Sequence, residues 1–339
     1  MNILQKLIER KELTSQEARA LMNGLMKGDY TNSKAAALLT ALRIKGENKE
    51  EIVEFARVMR ENAITIHPKV HDLVDTCGTG GDSTNSFNIS TTAAFVAAGA
   101  GVKIAKHGNR SVSSSCGSAD VLEQLGAKML QPNEVEKCIE KIGIGFMFAP
   151  YFHPSMKNVA IVRKELGIRT VFNILGPLTN PAGANAQILG VFDQKLSKMM
   201  ADVLGELGVK RAFIVNSNGM DEIGLGITKI CELKDGKTTE YEINGKEFGF
   251  ETREMAAVQS KEEGAKIITD VLNGEKGAAR DITILNAAGA IYVSGKVDSF
   301  ANSIEYATNS IDSGNAMKKL EEIIKFGERN FEVNESEST

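Results

Sequence analysis

Two stretches gather residue types that suit an anion. In Asp75–Thr91, DTCGTGGDSTNSFNIST, Gly78, Gly80 and Gly81 follow the apolar Leu73 and Val74, and Ser90 and Thr91 lead into the small-residue run TAAFVAAGAG. Glycines after a strand let backbone N–H groups approach an anion with no Cβ in the way. A helix start adds free N–H groups and the positive end of the helix dipole. Neither familiar nucleotide template fits: Gly80-Gly81 runs into Asp82 instead of the Lys-Ser/Thr of a Walker loop, and Ser83 stands where the dinucleotide fingerprint needs its third glycine. A tight strand-to-helix turn is the alternative reading, but three glycines with Asn88 and Ser90 exceed what a turn needs. The second stretch, Lys106–Asp120, KHGNRSVSSSCGSAD, joins the charges of Lys106 and Arg110 to directional groups on His107, Asn109 and the serines, a composition able to wrap a polyanion. Taken alone, His107 suits a structural role equally well.

Two further stretches add a metal and an acceptor side. Asp221 and Glu222 are adjacent in NSNGMDEIGLG, after the apolar run AFIV. Beside a phosphate-rich pocket two carboxylates repel unless a cation lies between them, and magnesium, which bridges carboxylates to substrate phosphates, would resolve this. Without the other clusters the pair reads as an exposed acidic turn. In His153–Gly183, Arg163 follows Val159, Ala160 and Val162 on one helix framed by Pro154 and Gly167, while Lys157 and Lys164 suit a solvated face, as Arg163 itself could. Pro177 and Pro181, with Asn180 between them, fix a rigid loop. Together these features indicate a transferase or phosphorylase acting on a phosphate ester, with the acceptor left open.

The elements that must position these groups can be read from periodicity. The first sixty-odd residues suggest short helices: Thr14 with Glu17 and Asn48 with Glu51 have capping-box spacing, and Gly28 and Gly46 stand where C-terminal caps belong. From HDLVDTC onward, apolar runs (VKIAKHG, GIGFMFAP, AQILGVF, RAFIVNSNG) alternate with helical periods, which predicts an α/β domain with a mostly parallel central sheet. The expected division is a helical domain over 1–70, joined by part of 155–185, an α/β domain over 71–330, and a frayed polar tail over 331–339. The glycine loop then lies both at a domain border and at the C-terminal ends of parallel strands, where pockets form.

Composition narrows the class. A net charge of −4 argues against nucleic acid or an anionic membrane as the main partner. The four cysteines form no CxxC pair and suggest a reduced, cytoplasmic setting. No stretch has the length of a signal peptide core or a membrane span.

GTGGD (78–82), NIST (88–91), KHGNR (106–110), CGSADVLE (116–123), VRKELGIRTVFNILGPLTNPA (162–182) and the Asp221–Glu222 pair, in that order, resemble the anthranilate phosphoribosyltransferases. The resemblance implies transfer of phosphoribose from phosphoribosyl pyrophosphate to the amine of anthranilate in tryptophan biosynthesis, a nucleoside phosphorylase-like fold, magnesium (two ions), and a homodimer through the helical domain. It implies that phosphoribosyl pyrophosphate is held by Gly78, Gly81, Asp82, Ser86, Asn88, Ile89, Ser90 and Thr91, by Lys106, His107, Gly108, Asn109, Arg110, Ser111, Val112, Ser113 and Ser114, and by Ser118. Ser90, Asp221 and Glu222 would serve the metal, and Gly78, Asn109 and Arg163 would meet anthranilate. No residue is implied as a certain acid or base; Lys106, Asp221 and Glu222 would act electrostatically. The loop departs from the family pattern in lacking a histidine and an extra aspartate before the pair, and in having Gly224 where serine or threonine is frequent. The rivals are a pyrimidine nucleoside phosphorylase, against which the acidic pair and KHGNR argue, and a noncatalytic nucleic-acid-binding relative, against which the charge argues.

Overall fold

The computed structural model describes residues 2–82, 84, 86–110, 116–253, 255 and 257–337, with side chains through 329. Four helices open the chain: Ile3–Ile8, Ser15–Lys27, Asn32–Lys45 and Lys49–Glu61. Both expected capping boxes form, Thr14 with Glu17 and Asn48 with Glu51, each satisfying two N–H groups that a helix start leaves free. Gly28 (φ 76°) and Gly46 (φ 83°) end their helices in backbone conformations that favour glycine. Helices Lys157–Leu166 and Phe172–Leu175 return to this group. Val159, Val162, Phe172 and Leu175 share one apolar core with Leu21, Leu25, Leu39 and Phe55, and the Asn158 amide donates to the Met26 carbonyl at 2.6 Å.

The remaining chain builds one seven-stranded sheet. Its strands are β1 (Leu73–Asp75), β2 (Lys103–Gly108), β3 (Ile144–Phe148), β4 (Ala186–Gly190), β5 (Arg211–Asn216), β6 (Ile227–Lys234) and β7 (Lys237–Asn244). In space they run β3-β2-β1-β4-β5-β6-β7. The first five are parallel, with Val74 opposite Ile104 on one side and Ala186 on the other. β6 and β7 are antiparallel, a hairpin the apolar-run reading did not resolve. Its turn is Asp235-Gly236, both at positive φ (50° and 78°), as a two-residue hairpin requires.

Alternation along the strands divides the core. Ile188, Phe213 and Val215 face one side, with the helices Ile89–Gly99 and Ala278–Val293. Leu189, Ala212 and Ile214 face the other, where they pack with Met200 and Leu204 of the helix Ser197–Glu206 in the same apolar core as the N-terminal helices. The final helix spans Asn315–Glu337, so residues 331–337, expected as a frayed tail, are helical. The stretch has no glycine or proline to stop a helix. Among the described residues no helix is long and apolar enough to cross a membrane.

Candidate active site

The strand order reverses direction at β1: the chain proceeds outward to β2 and β3, then returns to place β4 on the other side. Such a switch point opens a crevice at the carboxyl ends of the strands. The glycine loop after β1 crosses it. Thr79 donates its backbone N–H to the Gly190 carbonyl at 2.8 Å, at the end of β4. Gly80 and Gly81 have φ of 66° and 76°, and a Cβ at Gly80 would meet nothing within 4 Å, so glycine there serves backbone conformation, not space. The Asp82 carboxylate accepts the Thr84 hydroxyl at 2.7 Å and the Thr84 backbone N–H at 3.1 Å. Ser86 is half-buried, and Ile89, 1% exposed, begins the helix Ile89–Gly99 behind Asn88, whose amide donates to the Cys116 carbonyl at 3.2 Å. Thr91 is buried, and its hydroxyl has no hydrogen-bond partner among the described residues.

Asp221 and Glu222 face this loop and this helix start. Asp221 Oδ2 accepts the Gly80 N–H at 2.8 Å, and Glu222 Oε1 accepts the Ser90 N–H at 3.1 Å. Burial first, and then the Asp82 charge, push the Asp221 carboxyl up; burial and then Asp221 push Glu222 well up. Among the described residues no three His, Cys, Asp or Glu side chains come close enough to cage a metal by themselves, but the adjacent Asp221 and Glu222 supply hard oxygens of the kind that bind magnesium through one or two carboxylates together with substrate phosphates. The residues present therefore fit magnesium. Their turn is held from two sides. A Cβ at Gly190 would overlap the Asp221 carbonyl oxygen, so only glycine allows this approach. Asn286, 1% exposed on the helix Ala278–Val293, accepts the Ile223 N–H and donates to the Ile223 carbonyl, both at 2.9 Å. The departure at Gly224 has a local cause: a Cβ there would run into Ser217, while Thr228 supplies a hydroxyl that accepts the Gly224 N–H at 3.0 Å.

At the end of β2, Lys106 is 4% exposed and its ammonium donates to the Thr76 carbonyl (3.2 Å), the Thr76 hydroxyl (3.1 Å) and the Ser90 hydroxyl (3.2 Å). It thus fixes the residues around the helix start. His107 lies 5.0 Å, ring to ring, from His153, and its Nδ1 faces the Gly176 carbonyl at 3.3 Å. Burial holds both imidazoles neutral, His107 at about 3 and His153 at about 4, and the Nε2 of each lacks a partner among the described residues. Gly108 admits no side chain, because a Cβ would strike Ser118 and Phe146. Asn109 accepts the Ser118 hydroxyl on its carbonyl at 3.2 Å. Arg110 is committed elsewhere: it grips Glu123 at 2.6 and 2.7 Å and Asp120 at 3.0 Å, which raises its pKa. Ser111, Val112, Ser113 and Ser114 lie outside the described residues.

Arg163 belongs to the helix Lys157–Leu166. Its guanidinium is half-buried, 5.3 Å from the Phe172 ring centroid, with no carboxylate in ion-pair range among the described residues. Burial lowers its pKa. A half-buried cation without an anion suits a carboxylate ligand.

Sequence reasoning missed several residues that shape this site. Arg169 donates to the Gly81 carbonyl and stacks 4.1 Å from the Phe192 ring centroid, tying the loop to the segment after β4. Gln187, 3% exposed, donates to the Cys77 and Pro177 carbonyls at 3.2 and 2.9 Å. The signal for Gln187 and Asn286 was available: each is a lone amide inside an apolar run, which demands a buried partner.

Family models match both parts of the chain: the helical bundle domain of a glycosyl transferase family over residues 1–63, and its a/b domain over residues 70–317. A curated anthranilate phosphoribosyltransferase from Methanocorpusculum labreanum is 51% identical over 326 residues, 95% of this chain and 96% of that protein. The crystal structure of anthranilate phosphoribosyltransferase from Thermus thermophilus is 42% identical with a TM-score of 0.91, covering 96% of this chain and 99% of that one. The Saccharomyces cerevisiae enzyme, solved in complex with phosphoribosyl pyrophosphate and magnesium, is 31% identical with a TM-score of 0.86, covering 96% and 97%. Identity this high over nearly full length leaves one assignment: the chain belongs to the anthranilate phosphoribosyltransferase family.

Proposed function

We propose that this site transfers phosphoribose from phosphoribosyl pyrophosphate to anthranilate through the residues described above, and the observation that carries the assignment of roles is the crevice itself. On one side the glycine loop and the start of the helix Ile89–Gly99 present backbone N–H groups beside the Asp221–Glu222 pair. From the helical group, Arg163 offers a half-buried charge with no protein anion in range among the described residues. The donor therefore lies against Gly78, Gly81, Asp82, Asn88, Ser90 and Thr91, with Lys106 behind them. Anthranilate lies toward Arg163, with Gly78 and Asn109 between the two substrates.

Ser90, Asp221 and Glu222 would hold the magnesium, two ions in this reading. When bound, magnesium neutralises charge on the pyrophosphate. The chain's own groups do the rest. The bond from C1 of the ribose to the pyrophosphate oxygen breaks, its electron pair leaves with pyrophosphate, and the anthranilate nitrogen forms the new bond to C1 and then loses a proton. Once the Asp221 and Glu222 carboxylates are drawn off them, the N–H groups of Gly80 and Ser90 would face the growing negative charge and stabilise it. An aromatic amine is already unprotonated near neutral pH, so rate comes from positioning and leaving-group stabilisation, not from a dedicated base.

A homodimer through the helical domain accompanies this reading. Ile8, Ile44 and Ile161, exposed at 61%, 62% and 56%, belong to helical elements that share one core. The reading also places the enzyme in the cytoplasm. Pyrophosphate release measured with and without anthranilate tests the assignment: release that depends on anthranilate and magnesium supports it, whereas phosphate-dependent cleavage of uridine would favour the phosphorylase reading.

A further inference from the structure

One fully buried carboxylate at the end of β1 has no part in the roles assigned so far. Asp75 has no exposed surface. Its Oδ1 accepts the backbone N–H groups of Cys77 at 3.0 Å and His107 at 3.1 Å, and its Oδ2 accepts the Asn180 amide at 2.7 Å. Asn180, 6% exposed, also donates to the Ala105 carbonyl and accepts the Ala182 N–H, both at 2.9 Å. A carboxylate is costly to remove from water, and this one is held by three donors from three separate segments.

Those segments carry different parts of the reaction. Cys77 opens the glycine loop. His107 leads into Asn109. Asn180 lies in the stretch that ties the sheet to the helical elements: the Leu178 carbonyl accepts Arg60 Nε at 2.8 Å, and the Pro181 carbonyl accepts the Ile66 N–H at 3.1 Å. Phe172, Leu175 and Leu178, just before it, share the apolar core that also holds Val159 and Val162, the neighbours of Arg163. The donor side and the acceptor side thus meet at this carboxylate–amide contact, flanked by the Gln187 contacts to the Cys77 and Pro177 carbonyls and by His107 against the Gly176 carbonyl.

We propose that Asp75 and Asn180 form a positioning pair that sets the distance between the phosphoribosyl donor and the anthranilate acceptor. The inference rests on the roles proposed above for the glycine loop and Arg163. Neither member touches a substrate. Each substrate keeps its own contacts when the pair is broken, but C1 and the attacking nitrogen lose their mutual alignment. The signature is a fall in kcat with little change in either KM, because a displacement on the order of 1 Å in a reacting pair lowers the rate about 100-fold.

Asp75→Asn tests this, since it turns an amide N–H₂ toward the N–H₂ of Asn180. The expected result is a folded chain that binds one phosphoribosyl pyrophosphate per chain by calorimetry, with each KM within about threefold of the parent and kcat lower by about 100-fold. If Asp75→Asn does not fold, Asn180→Ala, which leaves the backbone contacts of Asp75 in place, is expected to show the same split. The proposal is overturned if kcat stays within about twofold of the parent or if binding stoichiometry falls in step with kcat. Turnover by the parent in the same assay separates the two readings: its failure would remove the function, whereas a parent that turns over beside unaffected variants would remove only the pair.

Discussion

The Asp221 carboxylate accepts the backbone N–H of Gly80 at 2.8 Å, so an acidic side chain occupies a donor that the proposed phosphate site needs. Glu222 does the same at Ser90, at 3.1 Å. Anion and cation must therefore arrive together: a metal that draws the carboxylates away frees the N–H groups for phosphate. Inorganic pyrophosphate is expected to bind the parent protein at least about tenfold more tightly with magnesium than without it, from about 1.4 kcal/mol of released competition. In the double variant Asp221→Asn, Glu222→Gln the magnesium effect on binding is expected to vanish and turnover to fall by about 100-fold or more, on the order of 3 kcal/mol. Calorimetry with and without magnesium checks both; an unchanged metal effect would reduce the pair to an acidic turn.

Arg163→Ala removes the half-buried cation. A charge-assisted hydrogen bond contributes roughly 1.5–3 kcal/mol, so KM for anthranilate is expected to rise about 10- to 100-fold while the affinity for phosphoribosyl pyrophosphate stays within a few-fold. Equal damage to both substrates would take Arg163 out of the acceptor site.

Two glycines of the crevice are glycines for different reasons, and alanine separates them. At Gly80 the space is open and φ is 66°, so alanine meets only left-handed strain of about 1–2 kcal/mol. At Gly190 a Cβ would overlap the Asp221 carbonyl, and the acidic turn must move. Gly190→Ala is expected to weaken magnesium-dependent pyrophosphate binding well beyond Gly80→Ala, as titration of both variants would show.

Much of this site was legible in the sequence. The glycines after an apolar run, the capping boxes and the βα alternation all rest on local rules, and the structure places those elements where the rules put them. The contacts that close the site are different in kind. Asp75 reads as one polar residue after a short strand, and only the parallel register brings His107 beside it and folds Asn180 over both. Gly190 reads as a strand terminus until Asp221 is packed against it. Arg110 reads as a free charge because Glu123, its partner, stands thirteen residues on and across a loop. Pairings between distant segments leave little trace in one sequence, except where a lone amide such as Asn286 interrupts an apolar helix.

Acid sensitivity of the fold follows from the buried imidazoles. His153 is neutral in the native state, with its pKa lowered to about 4, first by burial, from 6.5. The unfolded chain therefore takes up the proton first: the stability this residue contributes is complete above pH 6.5 and is lost as pH falls toward 4, on the order of 3 kcal/mol at most. Asp75, raised by burial to about 6 from 3.8, works in the opposite direction over part of the same window, since its native form binds the proton more tightly. His153→Gln is expected to flatten the loss of urea stability between about pH 7 and pH 5; an unchanged slope would mean that the imidazole is not buried neutral.

The transfer reaction itself is tested most directly by following the fluorescence of anthranilate in the presence of purified protein, phosphoribosyl pyrophosphate and magnesium. Fluorescence is expected to fall only when all three are present, with one pyrophosphate released for each anthranilate consumed. A folded protein that consumes no anthranilate under these conditions, or consumes it without phosphoribosyl pyrophosphate, would contradict the assignment.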